Sequence, residues 1–222
     1  MLQHKEDNTA DGLQVKPLDY VTHWNKVYTN AEIENLGWYE NDPKESLELI
    51  EKCKLDKDAA IFISGAGATT LVDELLKRKY THIIANDIAE AALISLKSRI
   101  GKSESVKFVI DDLTKPKKLQ FLPKIDLWID RAVLHFFLKE EDQKSYFDIL
   151  KQLVKPKGYV IIAAFNLKGA KKCSGLDVFN YDADMIANRL GNEFNLITTF
   201  DHTYVMPSGG ERPYVYTLFQ RR

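Results

Sequence analysis

The chain has 222 residues, 45% of them hydrophobic, which suits one α/β domain with a proper core and hardly two. Its formal net charge is −1, from 31 basic and 32 acidic residues, so no nucleic-acid footprint follows from the overall balance. Residues 1–7 hold no apolar core of a secretory signal, and no run of ~18 apolar residues offers a membrane span. Cys53 and Cys173 lie far apart in unlike contexts. A structural disulfide is therefore not expected, and a reducing cytoplasm is the expected compartment.

Residues 1–18 are expected to form a flexible tail, because they are mostly polar and charged. From Asp19 the chain turns aromatic, with Tyr20, His23, Trp24, Tyr28, Trp38 and Tyr39. That density reads either as a helix packed over the domain or as a lid over a ligand. Residues 19–58 are accordingly taken as a helical lid or N-terminal extension, and 59–222 as the core. Asp42-Pro43-Lys44-Glu45 is a helix start, with an Asx cap and Pro at the first helical position. Cys53 ends that helix and reads as a core residue.

Residues 59–64 form an apolar run, as in a strand buried on both faces. Gly65-Ala66-Gly67-Ala68-Thr69-Thr70 then makes a tight turn, and Leu71, Val72, Leu75 and Leu76 give a helical stripe. Strands follow at 82–86, 106–110, 125–129 and 159–165, with helices at 89–100 and 139–155 between them. Pro156-Lys157-Gly158 reads as the turn into the fifth strand. This alternation implies a parallel sheet with right-handed crossovers. The ending differs: a helix at 182–190, then strands at 194–204 and 214–219 joined without a helix. Those two form a hairpin, so the last pair is antiparallel.

Ligands of open α/β sheets bind at the carboxyl ends of the strands. Here those ends carry the glycine turn, Asp87, Asp111-Asp112 and Asp130-Arg131. An acid about 20 residues after the turn is placed to accept from both ribose hydroxyls. The third-strand acids are within reach of an adenine amino group. A dinucleotide enzyme is disfavoured. Thr70 stands where its third glycine belongs, and a helix and hairpin replace its second half.

This pattern resembles the class I S-adenosylmethionine-dependent methyltransferases, from about Trp24 onward. The resemblance implies a three-layer, Rossmann-like α/β fold with a seven-stranded, mostly parallel sheet and an antiparallel last strand. Ile61-Phe62-Ile63-Ser64-Gly65-Ala66-Gly67 resembles the first motif. It departs from it at Ile63 and Ser64, where an acid is usual, and at Thr69, where a third glycine is usual. Asp126-Leu127-Trp128-Ile129-Asp130-Arg131-Ala132-Val133-Leu134-His135-Phe136 is similar to a signature of a bacterial group of small methyltransferases. Residues 65–75 and 172–178 match that group as well. The Asp130-Arg131 pair with Trp24 and Trp38 also looks like distant thiopurine S-methyltransferase relatives.

The resemblance implies S-adenosylmethionine as cofactor and S-adenosylhomocysteine as product. The implied cofactor residues are Trp24, Tyr28, Trp38, Gly65, Ala66, Gly67, Thr70, Asp87, Ile88, Asp111, Asp112, Leu113 and Asp130. Asp130 is expected to hold the methionine end or orient the acceptor, and Arg131 to bind an anionic acceptor bidentately. His135 reads as a general base or as a core histidine capping its helix. Cys173 reads as an acceptor contact or as a loop cysteine. No metal site is suggested by His or Cys spacing. The expected acceptor is a small molecule, with neither nucleic acid nor membrane as partner. A protein lysine, or binding without turnover, are the alternatives.

Overall fold

The computed structural model describes residues 19–67 and 69–222. The expected tail over 1–18, and Ala68 of the glycine turn, lie outside those residues. Helix α1 (Tyr20–Asn30) is capped by Asp19, whose side chain accepts from Thr22 N. Helix α2 (Lys44–Lys52) begins one residue later than Pro43 suggests. Pro43 occupies the cap position itself, with ψ of 50°, and no side chain caps this helix. The expected Asx cap at Asp42 is therefore not formed.

The core alternates as β1 (Ala60–Ser64), α3 (Leu71–Lys77), β2 (His82–Asp87), α4 (Glu90–Ile100), β3 (Val106–Ile110), β4 (Ile125–Arg131) and α5 (Glu140–Leu153). Then β5 (Val154–Phe165) starts well before Tyr159, because Val154 already pairs with Ile125. Pro156-Lys157-Gly158 is thus an irregularity inside the strand and not the turn before it. The register shifts between Ile125 and Leu127, and Lys157 takes a φ of 66°. A short hairpin of β6 (Lys172–Cys173) and β7 (Leu176–Asp177) follows. Its two-residue strands are too short to show as a period in the sequence. The chain ends in α6 (Ala183–Leu190), β8 (Phe194–Val205) and β9 (Glu211–Arg221).

The main sheet has the order β3-β2-β1-β4-β5-β9-β8. The first five strands in that order are parallel, while β9 lies between β5 and β8 and is antiparallel to both. This is the expected seven-stranded, mostly parallel sheet with an antiparallel last strand. The two faces bury alternate residues, as period 2 requires. Ile61, Ile63, Leu127 and Ile129 face α2 and α3 through Leu49, Ile50, Val72 and Leu75. Phe62, Trp128, Val160 and Ile162 face α5 and α6 through Tyr146, Ile149, Leu150 and Ile186. The strand order reverses at β1, whose neighbours are β2 and β4. The crevice beyond the carboxyl end of β1 is where such a sheet leaves room for a ligand.

Candidate active site

At the end of β1 the backbone turns through Gly65 and Gly67, at φ of 54° and 50°. Only glycine adopts this region without strain. A Cβ on Gly65 would overlap the Val133 side chain, and one on Gly67 would overlap the Tyr28 hydroxyl. The turn is therefore packed against β4's loop on one side and against α1 on the other.

Asp87 ends β2 and is 5% exposed. Its Oδ2 accepts from Gly67 N and its Oδ1 from Ala89 N, both at 2.8 Å. One carboxylate thus ties the glycine turn to the start of α4. Burial pushes its pKa up to about 6, against the lowering effect of these backbone donors. Beside it, Asn86 donates to Val109 O and Asp111 O, while its buried Oδ1 has no partner among the described residues. Asp111 Oδ2 accepts from the backbone of Lys117, Lys118 and Leu119. Asp112 Oδ1 accepts from Thr114 N and Oγ1.

One cavity, of about 770 Å³ with its mouth included, joins these groups to an aromatic end. Asn86, Asp87, Ile88, Asp111, Asp112 and Leu113 line the polar part; Tyr20, Trp24, Tyr28, Trp38, Phe136 and Cys173 line the aromatic part. Gly65 lines the same cavity. The aromatic wall is built by α1, whose Tyr20 hydroxyl donates to Phe136 O at 3.0 Å. Asn25 Oδ1 accepts from Ala91 N, supplying α4 with the cap it lacks locally. Trp24 packs edge-on against Trp38 and Phe136, with ring centroids 5.5 and 4.9 Å apart. Trp38 Nε1 donates to the Tyr28 hydroxyl. The packed-helix and lid readings of this segment thus coincide: α1 is packed, and what it covers is a cavity.

Asp130 and Arg131, adjacent in sequence, point to different places. Asp130 is fully buried and lines neither this cavity nor the one adjoining it. Its oxygens accept from Val133 N, Leu134 N and the Tyr146 hydroxyl, the last at 2.7 Å. Tyr146 in turn accepts from Trp128 Nε1. Burial pushes the Asp130 pKa up to about 6, with the Tyr146 bond opposing it most strongly. Its visible work is to hold the short turn Leu134–Phe136 that carries Phe136 into the cavity. Arg131 does reach the cavity. Its Nη1 donates to Trp38 O at 2.9 Å, its Nε to the Tyr216 hydroxyl at 3.2 Å, and its Nη2 lies 2.9 Å from Glu40 Oε1.

His135 is likewise fully buried and outside the cavity. It stacks on Phe165 at 4.3 Å, and its Nδ1 accepts weakly from Phe165 N. Burial, helped by Arg131, pushes its pKa down to about 3, so it stays neutral near pH 7. The structure thus packs it in the core, behind Phe136, whose ring lines the cavity. Thr70 lines neither cavity either; its hydroxyl donates to Glu40 O at 2.8 Å. Cys173 does line it; burial raises its thiol to about 11 and so keeps it protonated.

Residues 64–162 match a family model described as a methyltransferase domain. Over those residues the chain is similar to a methyltransferase domain. Comparison with curated proteins finds no match. Among solved structures, an S-adenosylmethionine-dependent methyltransferase from Anabaena variabilis superposes with a TM-score of 0.74 at 13% identity, covering 91% of this chain and 93% of that one. A Burkholderia thailandensis 1,6-didemethyltoxoflavin N1-methyltransferase, solved with its substrate and S-adenosylhomocysteine, gives 0.63 at 17% identity, over 90% and 83%. The N-methyltransferase NodS from Bradyrhizobium japonicum, solved with S-adenosylhomocysteine, gives 0.59 at 11%, over 82% and 89%. The class I methyltransferase resemblance drawn from the sequence therefore stands, and S-adenosylmethionine is the cofactor these findings support.

Of the residues expected at the site, Trp24, Tyr28, Trp38, Gly65, Asp87, Ile88, Asp111, Asp112, Leu113 and Arg131 line one cavity. Ala66 lines an adjoining one, and Gly67 lies under Tyr28. Asp130, His135 and Thr70 are not brought there. Sequence reading did not name Asn86, Phe136 or Glu40 as site residues, and it placed Tyr20 only in the aromatic segment read as a packed helix or lid. Glu40 carried a signal too, as an acid directly after Trp38-Tyr39. Among the described residues no three His, Cys, Asp or Glu side chains converge as metal ligands, and no helix is long and apolar enough to cross a membrane.

The placement of His135 makes a prediction. His135→Asn keeps an acceptor near Phe165 N and removes the imidazole. Turnover and its pH profile are expected to stay close to wild type, with stability reduced by about 1–2 kcal/mol. A rate loss of roughly 10²-fold at unchanged stability, the size of a general-base effect, would restore it to the chemistry.

Proposed function

We propose that this protein transfers a methyl group from S-adenosylmethionine to a small, largely apolar acceptor. The observation that carries the reading is one cavity lined both by strand-end acids and by aromatic side chains, with Gly65 in its wall. The polar end fits a nucleoside. Asp87 keeps lone pairs for ribose hydroxyls beyond its two backbone bonds. The orphaned Asn86 Oδ1 and the second oxygen of Asp112 suit donors on ribose or base. Asp111 is more fully used by three backbone donors, so Asp112 is the better adenine-side acid. Gly65 lets the ligand approach the main chain closely.

Bound S-adenosylmethionine supplies the electrophilic methyl group on its sulfonium. The chain supplies position. Trp24, Trp38 and Phe136 form flat walls that order an acceptor and exclude water. Among the described residues lining that end, no side chain is suited to take a proton at neutral pH. The Tyr28 hydroxyl is pushed above its usual range by burial and the nearby Asp87, and Cys173 is also raised. The acceptor must therefore arrive with a free lone pair, as a thiolate, an aromatic amine or an aromatic nitrogen does. The Burkholderia neighbour, named for methylating a small heterocycle, is consistent with that size and chemistry.

Titration calorimetry with S-adenosylhomocysteine, followed by product assays on thiols, amines and nitrogen heterocycles, tests the proposal. Binding plus turnover on at least one apolar small acceptor is expected. No binding at millimolar ligand would overturn the cofactor reading. Turnover confined to a protein lysine would overturn the acceptor class.

A further inference from the structure

The main sheet has two outer strands, β8 and β3, and β3 is bonded to β2 alone. In a parallel ladder each residue turns its N–H and C=O to one side, and the side alternates along the strand. Ile83 N donates to Ser105 O and Asp111 N to Asp87 O, so the odd-numbered residues of β3 face β2. The N–H and C=O groups of Val106, Phe108 and Ile110 therefore point outward, away from the sheet. Rows of this kind are usually covered or blunted, because they are templates for another strand.

This outer strand lines a groove of about 1010 Å³ with its mouth included, which shares no lining residue with the cavity at the strand ends. One wall is α4, whose Leu93 belongs to the core on the α2 and α3 face. The other is the segment 118–122, whose Leu119 belongs to the core on the α5 and α6 face. The groove thus straddles the sheet edge. Each wall carries an apolar side chain and, three positions away, a lysine: Ile94 with Lys97, and Phe121 with Lys118. Ile94 and Phe121 are 59% and 80% exposed. Lys107 of β3 adds a third lysine, and Glu90 is the only acid in the described lining. Among the described residues none of these three lysines forms an ion pair. Residues 97–124 hold eight Lys or Arg against three Asp or Glu, in a chain whose net charge is −1. The local charge therefore calls for an acidic partner. Lysines alone would keep an edge solvated; the exposed Ile94 and Phe121 beside them are what such an edge lacks.

We propose that the β3 edge binds an extended, acidic segment of a partner protein as an added strand. The segment's main chain bonds to Phe108 and Ile110, its apolar side chains meet Ile94 and Phe121, and its carboxylates meet Lys97, Lys107 and Lys118. Side chains of a strand point to the two walls in turn, and each wall offers both kinds of contact. The segment therefore carries apolar and acidic residues in pairs, because strict alternation would send all of one kind to one wall. A second copy of this chain laid edge to edge would set the lysines against one another. A nucleic acid would satisfy the lysines and leave the outward N–H and C=O row and the aliphatic walls unused.

The test is fluorescence anisotropy of the full chain with a labelled, end-blocked peptide of two Val-Val-Glu-Glu repeats. Saturable binding is expected, and it weakens as salt is raised. Phe121→Ser, and Lys97→Glu combined with Lys118→Glu, are each expected to weaken it about tenfold. These side chains are exposed, so both variants keep the wild-type urea midpoint. Two further peptides are N-methylated at odd or at even positions. One is expected to bind about tenfold more weakly and the other nearly as the parent, since only alternate N–H groups enter a ladder. Equal binding of a Val-Val-Lys-Lys peptide, indifference to which positions are methylated, or no binding at millimolar peptide would overturn the proposal. So would an oligothymidylate that binds in place of the peptide and is lost in the lysine variant, which would assign the groove to nucleic acid. A dimer in sedimentation that Phe121→Ser dissociates would assign it to a second copy instead.

Discussion

Asp87→Ala is expected to raise the dissociation constant for S-adenosylhomocysteine by at least about 100-fold. Hydrogen bonds to a charged acceptor contribute about 1.5–3 kcal/mol each, and two ribose hydroxyls reach that factor at the low end of the range. A second loss adds to the first. Gly67 N and Ala89 N both donate to this carboxylate at 2.8 Å, so its removal also releases the glycine turn. Asp87→Asn is expected to be nearly as damaging, because its amide group must set N–H against one of those two backbone donors. Calorimetry gives the affinity, and urea unfolding separates the loss of ligand contacts from the loss of the turn. Wild-type affinity in Asp87→Ala would overturn the placement of the ribose.

Asp130→Ala is expected to destabilise the fold by about 3–5 kcal/mol, because three donors, two of them buried, lose their acceptor together. These are Val133 N, Leu134 N and the Tyr146 hydroxyl. Asp130→Asn keeps a carbonyl acceptor, sheds a charge that burial disfavours, and is expected to cost less. The sequence reading of Asp130, as holding the methionine end or orienting the acceptor, leads instead to a loss of turnover. Urea midpoints and turnover measured on both variants decide between them. Wild-type stability with abolished turnover would return Asp130 to the chemistry.

The contrast between these two aspartates shows what a sequence can and cannot convey. Both end parallel strands, and both are acids where the fold places ligands. Asp87 lines the cavity, whereas Asp130 turns to the α5 face, where Tyr146 waits for it. That partner is 16 positions away and belongs to a helix whose inner face reads as ordinary core. His135 and Arg131 divide in the same way. His135 follows the strand end closely, yet the turn that Asp130 caps buries it against Phe165. Arg131 reaches the cavity, but with its donors committed to Trp38, Tyr216 and Glu40.

The sequence by itself determined the sheet and its kind. Apolar runs, helical stripes and the hairpin ending are local patterns, set by backbone periodicity and by burial, and these set the parallel and antiparallel parts. It also located the glycine turn and the acids at the strand ends, since strand ends are marked locally. Only the tertiary structure decided which of those acids line the cavity. A side chain's partner is chosen by packing between distant elements, and adjacent residues on a strand point to opposite faces. The Glu40–Arg131 pair is the clearest case: two charges 91 positions apart by their residue numbers, brought together by the segment that follows α1. No spacing rule connects them, and only the fold places them in one cavity.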